Sequence, residues 1–236
     1  MPYQLYARLI PVVLQEGESA SQQLKAKFGL DPSEISFIVI SHFHADHISG
    51  CTDFPNAKFV YSREGWAYLR ERKYASCCSD VKCCLNGFIP NLLPKDFEER
   101  SVVIGAERFV DSASVGLSGL SGFKVCDLFG DGSIYIVDLP GHCKGHFGCY
   151  FSQGGKGWFL VGDAAWSTEA IQHNHLPHII TKFVAHYDWN DYTKTLAALN
   201  KLYNDQQQQQ EQQPIEIIPS HCWQVYEKYI TRVSKL

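Results

Sequence analysis

No stretch of this 236-residue chain approaches the roughly 18–20 consecutive apolar residues of a membrane span. The opening Met1-Pro2-Tyr3-Gln4-Leu5 has no charged region followed by an apolar core, so no secretory leader is visible and a cytoplasmic location is expected. Basic charge is short. Lys and Arg number 21 against 25 Asp and Glu, a formal net charge of -4, which excludes a general nucleic-acid binder, since phosphate contacts need a basic face. The nine cysteines are odd in number, and with no export signal they read as reduced thiols. Cys77-Cys78 and Cys83-Cys84 lack the spacing of a zinc ribbon, because adjacent cysteines rarely ligate one ion comfortably. No internal repeat is visible. What remains has 45% hydrophobic and 19% charged residues, the balance of an ordinary globular protein, and is expected to form one domain over residues 1–236.

Local signals divide the chain. Residues 3–14 are rich in strand formers, but Pro11 limits them to an edge strand or an extended arm. Ser19 and Gln22 make a capping box for a helix running to Phe28, with Ala20, Leu24 and Phe28 four apart and Gly29 as its stop. A buried strand over 35–41, a short strand over 59–62 and a helix over 63–73 carrying Trp66 and Leu69 follow. Residues 74–100 read as irregular, and the apolar stretch Phe88 to Leu93 within them suits a substrate-side cover or a packed loop. Residues 112–122 read as loop. Strands are expected over 123–129 and 133–139, joined at Gly130-Asp131-Gly132, and over 147–152 and 157–161. A helix over 190–203 aligns Tyr192, Leu196, Leu199 and Tyr203. Gln206 to Gln213 reads as a disordered polar insertion. A last strand over 215–218 and a helix over 223–233 close the chain.

The chemistry concentrates in Ser41-His42-Phe43-His44-Ala45-Asp46-His47, where four metal-competent side chains fall within six residues at the exit of an apolar strand. Borderline-soft cations such as zinc take imidazole nitrogen and carboxylate oxygen. Residues two apart in extended chain point the same way, so His42 and His44 can reach one ion. If the chain turns at Asp46, that carboxylate and His47 aim at a second. Three later stretches repeat the arrangement of an apolar strand followed by a metal-competent residue: Leu139-Pro140-Gly141-His142, Gly162-Asp163-Ala164 and Pro219-Ser220-His221. His146 lies four residues past His142 and reads as a supporting or packing residue.

Together, His42-Phe43-His44-Ala45-Asp46-His47 and these three stretches resemble the ligand motifs of the metallo-β-lactamase superfamily, and they span residues 42 to 221. The resemblance implies an α+β αββα sandwich with a two-metal site. In it His42, His44 and His142 hold one ion, Asp46, His47 and His221 hold the other, and Asp163 bridges them. Zinc is the expected metal, with iron or manganese compatible with the same donors. Two such ions sharing a water bring its pKa from ~15.7 toward ~7 and supply a hydroxide nucleophile, while Asp46 takes up a proton as the intermediate collapses. The family places further strands ahead of the first helix, so the resemblance implies an N-terminally shortened scaffold and leaves a homodimer through the arm of residues 3–14 open.

Gly162-Asp163-Ala164-Ala165-Trp166 and the Pro-Gly-His-x-x-Gly-His pattern of residues 140–146 look like the lactonase branch. An ester or lactone is the implied small-molecule substrate. Quorum-signal lactonases of that branch carry Tyr where this chain has Trp166, whose indole donates a hydrogen bond but cannot act as a phenol does. Trp166 and the loop around Phe88 to Leu93 would offer an apolar wall to an acyl chain. A glyoxalase II-like thioesterase shares the residue 140–146 pattern, and a binding protein without turnover is the alternative of another class.

Overall fold

The structure is a computed structural model and describes residue 8 and residues 13–74, 87–209 and 214–233. The arm expected over 3–14 falls almost wholly outside these residues, as do Cys77, Cys78, Cys83 and Cys84. The chain divides into two compact units, Met1–Ile104 and Gly105–Leu236.

In the first unit, helix α1 (Ala20–Phe28) forms as its caps dictate. Ser19 Oγ accepts from the Gln22 backbone N–H, the Gln22 side chain answers, and Gly29 closes the helix in the left-handed region. Its apolar stripe is not used as expected: the helix has no buried residue, and Phe28 is 63% exposed. Strand β1 (Phe37–Val39), β2 (Lys58–Ser62) and β3 (Ser101–Ile104) form a parallel sheet in the order β1-β2-β3. Among the described residues β1 is therefore an edge, which corrects the expectation of a buried strand; Phe37 is 39% exposed, and full burial begins at Ile40. β3 was not anticipated. Its Val102-Val103-Ile104 run is a strand signal, but its parallel partner lies some forty residues earlier in the sequence.

Helix α3 (Arg63–Tyr74) follows β2 directly, after the short helix α2 (Ala45–Ile48). Trp66 from α3 packs against Phe43, Tyr61 and Phe97, whose rings meet one another at 4.9–6.2 Å. Arg100 pins this aromatic core. Its guanidinium lies 4.8 Å over Phe59, donates to the Phe54 and Ala57 carbonyls at 3.0 and 2.8 Å, and pairs with Asp96 at 2.9 Å. Arg100→Ala strands two carbonyl acceptors and removes a charged donor, and should cost about 2 kcal/mol. Arg100→Lys should recover only part of it, because a single ammonium lacks the planar fork by which Nη1 serves both carbonyls while Nη2 meets Asp96. Urea unfolding measures both. A loss under about 0.5 kcal/mol for the alanine variant, the range of an ordinary surface change, would refute the assignment.

The second unit is a six-stranded sheet in sequential order: β4 (Val110–Asp111), β5 (Lys124–Asp127), β6 (Ile134–Asp138), β7 (Phe147–Gln153), β8 (Lys156–Gly162) and β9 (Ile215–Pro219). Pairings are antiparallel until β8 meets β9 in parallel. The β5–β6 hairpin turns as expected, with the Asp127 carboxylate accepting from the Gly130 and Gly132 backbone N–H groups at 2.8 Å. Helices α4 (Thr168–His173), α5 (Thr181–Val184), α6 (Trp189–Gln209) and α7 (Trp223–Val233) complete the unit. The α6 stripe is buried as its periodicity predicts, with Tyr192, Leu196 and Leu199 at 1% exposure or less. Leu196 and Leu199 join Phe159, Val161 and Ile171 in the core.

The glutamine tract corrects another expectation. α6 continues through Gln209, and Gln206 Oε1 accepts from the Ile215 backbone N–H at 2.6 Å. Glutamine is a good helix former, so a helix already begun extends through it. Residues 210–213 lie outside the described residues. Among the described residues, no helix is long and apolar enough to cross a membrane.

Candidate metal centre

The first unit assembles four of the expected ligands. After Ile40 donates to the Val60 carbonyl at 2.9 Å, the chain leaves the sheet, and His44 takes extended backbone angles at the start of α2 without using its side chain as a cap. Helical periodicity then turns Ala45 and Ile48 inward to burial and leaves Asp46 exposed. Ser41 Oγ meets His42 Nδ1 at 3.1 Å, and His42 Nε2 faces His44 Nδ1 at 3.0 Å. The His47 ring stands 4.1 Å from that of His42, and its Nε2 is 3.5 Å from Asp46 Oδ2. Three imidazoles and a carboxylate thus converge through ring nitrogens and an oxygen. Two imidazole lone pairs cannot share a 3.0 Å gap unless a proton or a cation lies between them, so the donor set fits a metal.

The loop beyond residue 86 supports this cluster. The Gly87 carbonyl accepts from the Ala45 N–H at 2.8 Å, and the Phe88 ring lies 4.9 Å from His44. Phe88, Ile89 and Leu93 are 5–8% exposed. Of the two readings of this stretch, cover or packed loop, the burial fits the packed loop. The loop's apolar side chains are spent on burial beneath His44 and Ala45, because an apolar segment tied to buried backbone has nowhere drier to go.

In the second unit three further expected ligands meet at one oxygen. Asp163 Oδ2 lies 3.4 Å from His142 Nε2 and 3.3 Å from His221 Nε2. Asp163 is 4% exposed and His142 3%, while the His221 side chain stays 46% exposed. Asp163 stands just past β8, His221 just past the parallel β9, and the Ser220 N–H donates to the Gly162 carbonyl at 3.1 Å. A buried carboxylate needs compensating charge or donors, and two imidazoles aimed at one of its oxygens are a ligand arrangement rather than ordinary core packing.

The comparisons with known proteins agree with this chemistry. The model of the Metallo-beta-lactamase superfamily matches residues 16–75. The N-acyl homoserine lactonase AttM of Agrobacterium fabrum is 25% identical over 173 residues, 73% of this chain and 57% of that protein. A crystal structure of an N-acyl homoserine lactone hydrolase, with the product N-hexanoyl-L-homoserine at its catalytic metal center, aligns with TM-score 0.55 and 18% identity over 91% of this chain and 66% of its own. AidC, a dizinc quorum-quenching lactonase, aligns with TM-score 0.56 and 20% identity over 85% of this chain and 62% of its own. The chain is thus similar to that superfamily's model over residues 16–75 and to these lactonases over most of its length. It spans little more than half the length of the AttM relative.

His146 is not free to act as a ligand. Fully buried, it donates from Nδ1 to the Leu139 carbonyl at 2.9 Å and accepts at Nε2 from the Asp163 backbone N–H at 3.1 Å. Nδ1 is committed to the Leu139 backbone and Nε2 to that of Asp163, the supporting role expected from its position. Trp166 stands edge-on to His142, with ring centroids 6.4 Å apart. Tyr192 lies in the same neighbourhood, and burial together with the negative charge of Asp163 pushes its phenol up to about 12, so it stays neutral.

Two residues of this neighbourhood escaped the sequence reading. Gly141, at φ 126°, brings the ligand loop against the start of α6 so closely that a Cβ there would sit 2.1 Å from the Tyr192 nitrogen. His186 packs between Trp166 and Tyr192. A Pro-Gly-His signature hinted at the first. Nothing in the linear order marked the second.

Proposed function

We propose that the chain is a dinuclear metal-dependent hydrolase of the lactonase type, opening an ester or lactone, with His42, His44, Asp46, His47, His142, Asp163 and His221 as ligands and zinc as the metal. The observation that carries this reading is the pair of clusters above: imidazoles in a 3.0 Å ring-nitrogen contact beside Asp46, and a buried carboxylate met by two imidazoles at 3.3–3.4 Å. The lactonase relatives support the substrate class.

Two divalent ions held by these residues would lower the pKa of a shared water toward ~7 and draw charge from the substrate's carbonyl oxygen. The chain's own residues supply the rest. Asp163, fixed through its backbone by His146, presents its carboxylate to His142 and His221. Asp46, exposed at the head of α2, accepts a proton at its carboxylate and can return it to the leaving alkoxide. Trp166 offers an indole N–H to the substrate and, having no hydroxyl, cannot exchange a proton there.

Elemental analysis of the purified protein should find close to two transition-metal ions per chain. Across a panel of lactones, thioesters and phosphodiesters, lactone turnover should vanish with a chelator and return with zinc. Metal-free native protein, or no metal-dependent turnover across the panel, would sink the proposal. A thioester preference would instead favour the glyoxalase II-like activity.

A further inference from the structure

We propose that His186 is a positioning residue that sets the plane of Trp166 and braces the ligand ring of His142. The imidazole of His186 stacks on the Trp166 indole at 5.5 Å and 22°, and its other face meets Tyr192 at 3.9 Å. Trp189 flanks this column, edge-on to His186 at 5.4 Å and stacked on Tyr192 at 5.7 Å. His142 meets the column edge-on, 5.4 Å from His186 and 6.4 Å from Trp166. Both ring nitrogens of His186 are shielded from water.

The backbone beside His186 is tied to the same ligand loop. The Tyr187 N–H donates to the His142 carbonyl and the Asp188 N–H to the Gly141 carbonyl, both at 2.9 Å, and Thr195 Oγ1 donates to the Pro140 carbonyl at 2.7 Å. His142 is thus held from two sides, its carbonyl by Tyr187 and its ring edge by His186. An indole has two soft side-chain torsions. With a flat ring wedged between Trp166 and a buried tyrosine, the indole has one packed orientation. Removing the wedge leaves room for it to rotate away from His142. Stacking geometry is what the contact uses, so a flat apolar ring of similar size should serve in its place.

The kinetic part of the test rests on the hydrolase reading, and the spectroscopic part does not. Near-ultraviolet circular dichroism reports aromatic rings held in fixed, asymmetric packing. His186→Ala should lose the same near-ultraviolet signal that Trp166→Phe loses, the double variant should lose no more than either, and the far-ultraviolet spectrum should not change. In lactone turnover, His186→Ala should raise KM by ~10-fold or more, the scale of removing a supporting partner, while kcat moves far less. Its effect should not multiply with that of Trp166→Phe. His186→Phe should restore both signal and KM. An alanine variant that keeps the Trp166 signal, a phenylalanine variant as deficient as alanine, or effects that multiply would each overturn the proposal. If the unsubstituted protein turns over no lactone, the hydrolase reading fails while the dichroism still decides the role of His186.

Discussion

Asp163→Ala should abolish metal-dependent turnover and leave the protein unable to retain its full complement of ions. Asp163 is the buried point at which His142 and His221 meet, 3.4 and 3.3 Å from one carboxylate oxygen, and its proposed place is between the two ions. Loss of a mere outer partner costs ~10–100-fold in metal affinity or activity, and loss of the bridging carboxylate should exceed that range. Asp163→Asn should do nearly as much damage, because an amide keeps the shape but not the charge that two divalent cations require. A readout free of any substrate is available. Zinc at a hundred times its dissociation constant should stabilise the unsubstituted protein by about 2.7 kcal/mol. The variants should gain far less, as thermal melts with and without zinc would show. Two ions per chain and unaltered turnover in Asp163→Ala would remove Asp163 from the centre.

The second large effect is expected at Gly141, where the consequence is structural first. At φ 126° an L side chain is strained, and its Cβ would lie 2.1 Å from the Tyr192 nitrogen and 2.3 Å from its Cα. Neither atom can move aside without displacing the start of α6. Gly141→Ala should therefore cost at least about 3 kcal/mol, a fall of roughly 6–12 °C in melting temperature for a chain of this size. Gly154→Ala is the control. Gly154 is also left-handed, at φ 61°, but a Cβ there meets nothing within 4 Å, so strain alone should cost about 1–2 kcal/mol. Equal losses in the two variants would show that close approach to α6 is not what Gly141 provides. Because Gly141 precedes His142, its alanine variant should also weaken zinc retention, which elemental analysis checks.

The elements that were legible in the sequence share a property. The Ser19–Gln22 capping box, the Gly29 stop, the Asp127–Gly132 turn and the α6 stripe are each encoded within one or two turns of chain. The ligand stretches were legible for the same reason: a donor set placed at a strand exit is local information. The misreadings were of the other kind. The stripe of α1 has correct periodicity, yet Leu24 is only half-buried and Ala20 and Phe28 are exposed. The Phe88 to Leu93 loop has a composition that suits a cover or a packed loop equally, and only its burial beside His44 chose the second. The glutamine tract looks disordered by composition, yet its first residues continue a helix that had already paid its nucleation cost.

The sequence by itself determined which stretches carry metal-competent side chains, where most helices and strands begin, and which face of α6 goes inward. Hydrogen bonds and apolar spacing over a few residues suffice for each of these. Only the tertiary structure decided that β3 runs parallel to β2, that both nitrogens of His146 are committed to Leu139 and Asp163, and that His186 lies between Trp166 and Tyr192. Most of these contacts join residues some 17 to 40 positions apart. A non-local contact leaves no period in the chain; it exists because burying apolar rings and pairing buried polar groups is favourable once the strands have aligned.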